Sequence, residues 1–391
     1  MLEIEGRGFG ETGERAVCLE CVLDRGLREQ VAGLLSESLC TFCGRESADQ
    51  HSVAVDFEDF MPFVMDAIRF FYERSLNSLF WDDDFTPRCD SQEVARNICE
   101  GAVADDVMEA ITEVISDDEW NEDPGVLRPD IALRGAWEAF QEKVKHETRF
   151  VFLSIPEERS DHPDEFTTTE ILEKLMEIIY ARGALVVLPV GHVFYRGRLI
   201  DNPDDHDQYS AENLGSPPSK KASASRMSPA GISMFYGCDD VETVVAEIGA
   251  HSTSRFAVIG EFETTRPLRM VNLADLPPAL GIFSPEGRAE YFGTVFLNSF
   301  AEDLSAPISI DGGEHIDYVP TQVVTEYMRW LPGLSLDGLL FKSAQNGGRS
   351  SVVFCGPDAC ADSGRENEKT VLRLREGSVR AVRVMSVPVT L

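Results

Sequence analysis

The sequence has no long apolar run. The longest, residues 184–190, falls far short of the ~20 residues a membrane-crossing helix needs. It also opens without a basic stretch followed by an apolar one, so no secretory signal is expected. Lysine is nearly absent from the first 170 residues, where only Lys143 and Lys145 occur. Asp and Glu total 68 against 35 Lys and Arg, a formal charge of −33 over 391 residues. Such a surface repels phosphate backbones and anionic membranes, which argues against nucleic acid or membrane as a partner. A local basic pocket for one dinucleotide is still compatible with it. Nine cysteines, an odd number, argue against a disulfide framework and for a reducing, cytoplasmic setting.

In other respects the composition is that of a globular protein, 43% hydrophobic and 26% charged, with length for two or three cores. Three regions are expected: residues 1–50, 51–163 and 164–391. The first holds a cysteine pattern. The second is helical, with apolar faces at helical spacing over residues 57–80 and 92–115 and a further helix over 131–144. Pro124 and Pro129 punctuate the last two, and the acidic stretch 157–165 reads as a linker.

The third region mixes both periodicities. Thr168 or Thr169 caps a helix that Gly183 closes. Strands are expected at 184–188, 193–195, 256–262, 268–273, 339–341 and 352–354, with helices at 241–248, 286–300 and 321–331. Residues 370–384 alternate around Glu376-Gly377 and read as a terminal hairpin. Residues 201–225 form a long polar loop, and no internal repeat is visible. The fold class is α+β rather than a doubly wound sheet.

Cys18-x2-Cys21 and Cys40-x2-Cys43, 18 residues apart, have the spacing of a structural zinc site. Four thiolates leave the metal no open position, so its role is in folding. Two weaker patterns are read as incidental. Residues 8–13 match G-x-G-x-x-G but have no preceding strand. Arg45 and His51 have the spacing of a HEPN ribonuclease motif but lie in a polar stretch just past the cysteines.

Residues 226–250 carry a cation, an aromatic and a carboxylate in a strand-then-helix context: Arg226, Tyr236 and Glu247. A strand is expected at 232–236. Asp239 or Asp240 then caps a helix with Val241, Val244, Val245 and Ile248 on one face. Glu247 stands beside that face, where packing alone does not explain a carboxylate. Arg196 lies ahead in Phe194-Tyr195-Arg196-Gly197-Arg198, and Thr321-Gln322 and the strand ending in Ser343 lie behind. Singly, each has a bland reading: a surface salt bridge for either arginine, core for Tyr236, an arginine partner for Glu247, a turn cap for Ser343. Arg198, Gln322 and Tyr195 are weaker additions, and Gln322 reads as support for the fold. His192, His251 and His315 show no ligand spacing, and nothing in the sequence activates Cys238.

Taken together, this ordered set resembles the RES family over roughly residues 165–391, with Arg196, Glu247 and Ser343 on the name-giving positions and Arg226 and Tyr236 on two further ones. The N-terminal regions resemble the HEPN/RES extension that precedes some family members. One departure is that the run 347–354 has no Asn next to its strand where the family usually has Gly-x-Asn.

The resemblance implies a fold like that of ADP-ribosyltransferase toxins and an enzyme that consumes NAD by breaking its nicotinamide–ribose bond. Catalysis would fall to Glu247, Arg196 and Ser343, and NAD would be held by Arg196, Arg226, Tyr236 and Ser343. Inorganic phosphate is the expected acceptor, with water or a protein as alternatives. The implied role is that of a toxin or defence effector, with an antitoxin or regulatory protein as a partner. Self-association is compatible with the reading, and the N-terminal regions would restrain or activate the catalytic domain. The competing classes are a nucleotide-binding module without turnover and a HEPN-type ribonuclease.

Overall fold

The computed structural model describes residues 6–49, 51–74, 89–122, 127–154, 166–249, 254–278, 281–307, 313–330, 333 and 335–384. The expected linker at 157–165, Pro124 and His251 lie outside these. The chain divides into two compact units, Met1–Ala132 with Pro278–Val295, and Leu133–Pro277 with Phe296–Leu391. This division does not follow the boundaries at 50 and 163 expected from the sequence.

In the first unit, strand β1 (Ala16–Cys18) pairs antiparallel with β2 (Ala54–Asp56), so the cysteine region and the helical region share one core. Helix α1 (Arg25–Val31) is capped by the Asp24 carboxylate, which accepts from Leu27 N at 2.8 Å. Helix α2 (Phe57–Phe71) buries Phe60, Val64 and Ile68 of the expected face and leaves Phe63 and Phe71 half-buried. It stops well before residue 80 because Tyr72 turns extended and β3 (Glu73–Arg74) joins a small sheet with β4 (Cys89–Asp90) and β5 (Glu119–Asn121). The single helix expected at 92–115 is two, α3 (Ser91–Cys99) and α4 (Asp105–Val114). The break falls where Val103 bridges to Val22.

The second unit is built on a ten-stranded sheet among the described residues. Helices α5 (Pro129–Glu142) and α6 (Glu170–Ala181) precede it. Thr169 stands at the N-cap of α6 without a side-chain cap bond, and Thr167 supplies one instead: its hydroxyl accepts from Glu170 N at 3.2 Å, while the Glu170 carboxylate accepts from Thr167 N at 2.9 Å. There follow β6 (Leu185–Leu188), β7 (Val193–Ile200), the short helix α7 (Ala211–Leu214), β8 (Phe235–Cys238), α8 (Val241–Gly249), β9 (Phe256–Thr264) and β10 (Leu268–Asn272). Helices α9 (Pro285–Ser305) and α10 (Val319–Trp330) lead to β11 (Gly338–Lys342), β12 (Arg349–Val353), β13 (Cys360–Asp362), β14 (Leu372–Leu374) and β15 (Arg380–Arg383). The spatial order is β13-β14-β9-β7-β8-β12-β11-β10-β6, parallel at β10/β11 and β13/β14 and otherwise antiparallel.

Three expectations need correction. The strand expected at 232–236 starts later, because Ile232 is still in a turn, its N–H donating to Pro229 O, and pairing begins where Phe235 meets Val353. The loop 201–225 contains α7 and two 3-10 turns. The terminal hairpin is absent: β14 and β15 do not pair with each other but lie end to end along β9. Charge pins that register, since Glu261 accepts from Arg375 at 2.9 Å and Arg380 at 3.1 Å, and Glu263 from Arg373 at 2.6 Å.

Side chains alternate across the sheet. Phe194, Phe235 and Phe262 share one face, the Phe235 and Phe262 rings 5.0 Å apart, while Tyr195 and Cys238 share the other with Val244 of α8. Phe262 is fully buried, so Phe262→Ala should cost about 3–5 kcal/mol and lower the denaturant midpoint of this unit. An unchanged midpoint would mean that this aromatic cluster does not anchor β9.

Candidate active site

Helix α8 is the element on which the site is built. Asp240, not Asp239, caps it: the Asp240 carboxylate accepts from Thr243 N at 2.7 Å and from the Thr243 hydroxyl at 2.8 Å. Asp239 turns instead to Arg349 and lies 3.9 Å from His192. Burial opposes ionisation of Asp239, but the nearby His192 and the hydrogen bond and charge of Arg349 outweigh it and hold the carboxyl below its ordinary range. Val244 and Ile248 of α8 press onto β7 at Gly197, where a Cβ would lie 2.7 Å from Val244 Cγ1 and 3.3 Å from Val258 O. Only glycine allows that approach.

The approach leaves Glu247 exposed at the edge of a cavity of about 440 Å³. Its carboxylate is therefore reachable and not trapped in packing. Ser343, 4% exposed, donates from Oγ to Glu247 Oε1 at 2.5 Å and accepts from Gln345 N at 3.1 Å. Ser343 thus fixes the carboxylate while holding the first turn after β11. It does not line the same cavity but an adjoining one of about 660 Å³, and Ala344 borders both.

Tyr236 lines the first cavity, its phenol 2.8 Å from the hydroxyl of buried Ser228. Burial pushes that phenol up, so it stays neutral. Arg226 lies over the Tyr318 ring at 5.8 Å and donates to Leu304 O at 3.1 Å and Ala306 O at 2.7 Å, at the C-terminal end of α9. Its backbone is clamped by α10. Thr321 Oγ1 donates to Arg226 O at 2.5 Å, and Gln322 Nε2 donates to Ser225 O at 2.8 Å and Ser228 O at 3.2 Å. Gln322 therefore supports the loop, as its sequence context suggested.

Arg196 borders the cavity, but its guanidinium donates to Leu214 O at 2.7 Å and to Tyr236 O, 5.0 Å from the Phe235 ring. Burial, with the like charge of Arg198 adding to it, lowers its pKa to about 10. Among the described residues no carboxylate bonds to Arg196 or Arg226. Arg198 Nε is buried without an acceptor. Ser351 also borders this cavity, its hydroxyl donating to Gly237 O at 2.9 Å. Cys238 is inert, its thiol pushed up to about 12 by burial. Sequence reasoning missed Ser228, Tyr318 and Gln345. None has a spacing signal, and each joins the site only through the fold.

In the other unit the Sγ atoms of Cys18, Cys21, Cys40 and Cys43 all lie within 4.8 Å of one another. The closest pairs are 3.6, 3.7 and 3.9 Å apart. A tetrahedron with ~2.3 Å zinc–sulfur bonds has edges of about 3.8 Å, so the set fits one such ion with four ligands and no open position. Burial works against the Cys40 thiolate, but N–H groups of Cys43, Cys18 and Phe42 donate to it and bring its pKa to about 7. Burial pushes the Cys21 thiol up, so metal must displace that proton. Arg45 and His51, both exposed, lie outside any helix, with Arg45 paired to Glu20 at 3.3 Å. Residues 8–13 are not in a βαβ unit; Gly10 N donates to Val114 O. Elemental analysis should find one zinc per chain, lost on Cys40→Ser and released as pH falls below neutrality. Full metal retention in that variant would rule out a four-cysteine site.

A family model described as the RES domain matches residues 198–373, and one described as HEPN/RES N-terminal domain 1 matches residues 35–158. The RES match starts two residues past Arg196, and the other takes in Cys40 and Cys43 but not Cys18 and Cys21. Comparison with curated proteins finds no match. Among solved structures the chain is similar to one titled crystal structure of the M.tuberculosis MbcT-MbcA toxin-antitoxin complex, with 18% identity, 55% of this chain and 93% of that chain covered, and a TM-score of 0.28. At that TM-score the likeness carries no argument. The two family matches thus place a RES domain over residues 198–373 and a HEPN/RES N-terminal domain ahead of it over residues 35–158.

Proposed function

We propose that this chain is an NAD-cleaving enzyme that breaks the nicotinamide–ribose bond, with inorganic phosphate as acceptor, and that it acts as a toxin or defence effector held in check by a protein partner. The observation that carries the reading is that Arg196 and Arg226, in a chain of charge −33, meet no carboxylate among the described residues beside a cavity that also presents Glu247. Carbonyl-held guanidinium groups keep their charge for an anion, and a pyrophosphate is the matching one. A volume of about 440 Å³ is in the range of small-molecule sites.

Glycosidic cleavage passes through an oxocarbenium-like state. Glu247, exposed and held by Ser343, supplies the negative charge that stabilises it and an acceptor for ribose hydroxyls. Tyr236 and Tyr318 offer flat faces for a ring. The nicotinamide leaves neutral, so no strong general acid is needed. Phosphate then attacks the ribose carbon, giving ADP-ribose-1″-phosphate. The reading includes zinc at the four cysteines as a folding element and a fold of the ADP-ribosyltransferase type.

Phosphorus NMR of the chain incubated with NAD, with and without phosphate, tests the reading. Phosphate-dependent NAD loss with a new phosphomonoester signal is expected, and Glu247→Gln should lower the rate by about 10²–10³-fold. Loss without that signal would replace phosphate by water or protein as acceptor. A second reading, nucleotide binding without turnover, draws on the Asn missing beside β12, where Ser351 already gives its hydroxyl proton to Gly237 O. It predicts NAD binding with no loss under either condition.

A further inference from the structure

Two cysteines outside the metal cluster meet behind Arg196. Cys355 follows β12 and Cys360 opens β13, with a 3-10 turn between them. The Ser216 hydroxyl lies 3.8 Å from Cys355 Sγ and 3.6 Å from Cys360 Sγ, and donates to Cys355 O at 2.9 Å. One hydroxyl thus touches both thiols.

The backbone beside them is tightly seated: a Cβ on Gly215 would fall 2.9 Å from Cys360 Cβ and 3.1 Å from its Sγ. The preceding residue, Leu214, supplies the carbonyl that holds Arg196 Nε. The thiol pair therefore shares a wall with one of the two arginines of the cavity.

The pair is also chemically unlike the other cysteines described outside the metal cluster. The Cys355 thiol first of all, then Ser216 and the Arg196 charge, outweigh burial and bring the Cys360 pKa to about 6, while Cys355 is held well above its ordinary value. Burial pushes the thiols of Cys99 and Cys238 up to about 12, and burial with neighbouring carboxylates raises Cys89. A thiolate beside a thiol and a cation is an attacking and resolving pair.

We propose that Cys360 is a site of reversible oxidation by hydroperoxides, that Cys355 resolves it to a disulfide, and that closing this bond loosens the hold of residues 214–216 on Arg196. In the first step the Cys360 sulfur attacks one peroxide oxygen. An S–O bond forms, the O–O bond breaks, sulfur loses two electrons and hydroxide leaves. In the second the Cys355 sulfur displaces hydroxide from the sulfenic acid, and its proton leaves with that hydroxide as water. In sum two thiols and one hydrogen peroxide give one disulfide and two waters. Because the segment holds Arg196, which borders the NAD site proposed above, that reading makes the pair a redox control on NAD cleavage.

The test treats the zinc-loaded full chain with a few equivalents of hydrogen peroxide and maps thiols by differential alkylation and peptide mass. A Cys355–Cys360 disulfide should form at least about tenfold faster than Cys89, which is also partly exposed, is modified, and dithiothreitol should reverse it. In Cys355→Ser, dimedone should trap a sulfenic acid at Cys360; in Cys360→Ser, Cys355 should stay reduced. Modification of Cys89 at an equal rate, or no disulfide in the parent chain, overturns the site. Amide exchange at residues 211–216 should quicken on oxidation by about tenfold, and unchanged exchange overturns the link to Arg196. Neither readout uses NAD. A chain that passes both while never cleaving NAD when reduced upholds this inference and defeats the NAD reading.

Discussion

The close approach of α8 to β7 at Gly197 is the constraint on which the cavity depends. With no side chain at that position, Val244 and Ile248 can lie directly on the sheet, and the helix comes down far enough for Glu247 to meet Ser343. The two residues are 96 apart in sequence and belong to different elements. Their contact follows from the seating of one helix on one strand. The cap at Asp240 fixes where that helix begins, and so which side chain arrives at the edge.

The electrostatics follow a second rule. Several charges of this unit find partners of opposite sign, as Glu261 and Glu263 do with the arginines of β14 and β15 and the turn between them. Among the described residues, the hydrogen bonds of the Arg196 and Arg226 guanidinium groups go only to carbonyls. Those of Leu304 and Ala306 belong to the end of α9, where the aligned peptide dipoles are negative. A helix end holds a cation without neutralising it, and an incoming anion can compete for the same N–H groups. Thr321 and Gln322 keep the backbone still while the side chain is free to choose.

What the sequence disclosed and what it hid divide along sequence distance. The four cysteines were legible because a metal site is written as local spacing, and the apolar faces of α2 and α6 were legible because periodicity is local. The residues now found around the cavity were legible only as an ordered set resembling a family. Their roles were less so. Nothing in residues 194–198 says that Arg196 reaches back to Leu214, and nothing in the polar loop says that Ser228 will be buried against Tyr236. The choice of Asp240 over Asp239 as cap was settled by Arg349, more than a hundred residues later. The meeting of Cys355 and Cys360 over Ser216 had no sequence signal, since their spacing fits a turn as well as a pair.

The placement of β14 and β15 end to end along β9 has a bearing on how the chain tolerates shortening. Each covers a different half of the same edge, β14 the half near Thr264 and β15 the half near Phe256. A chain that ended before residue 380 would keep one cover and lose the other, leaving the N–H and C=O groups of residues 256–259 without their ladder. An uncovered edge of that kind recruits strands from neighbouring molecules. Early termination would therefore first be felt as self-adhesion through β9, with Glu247 and Ser343 still in place.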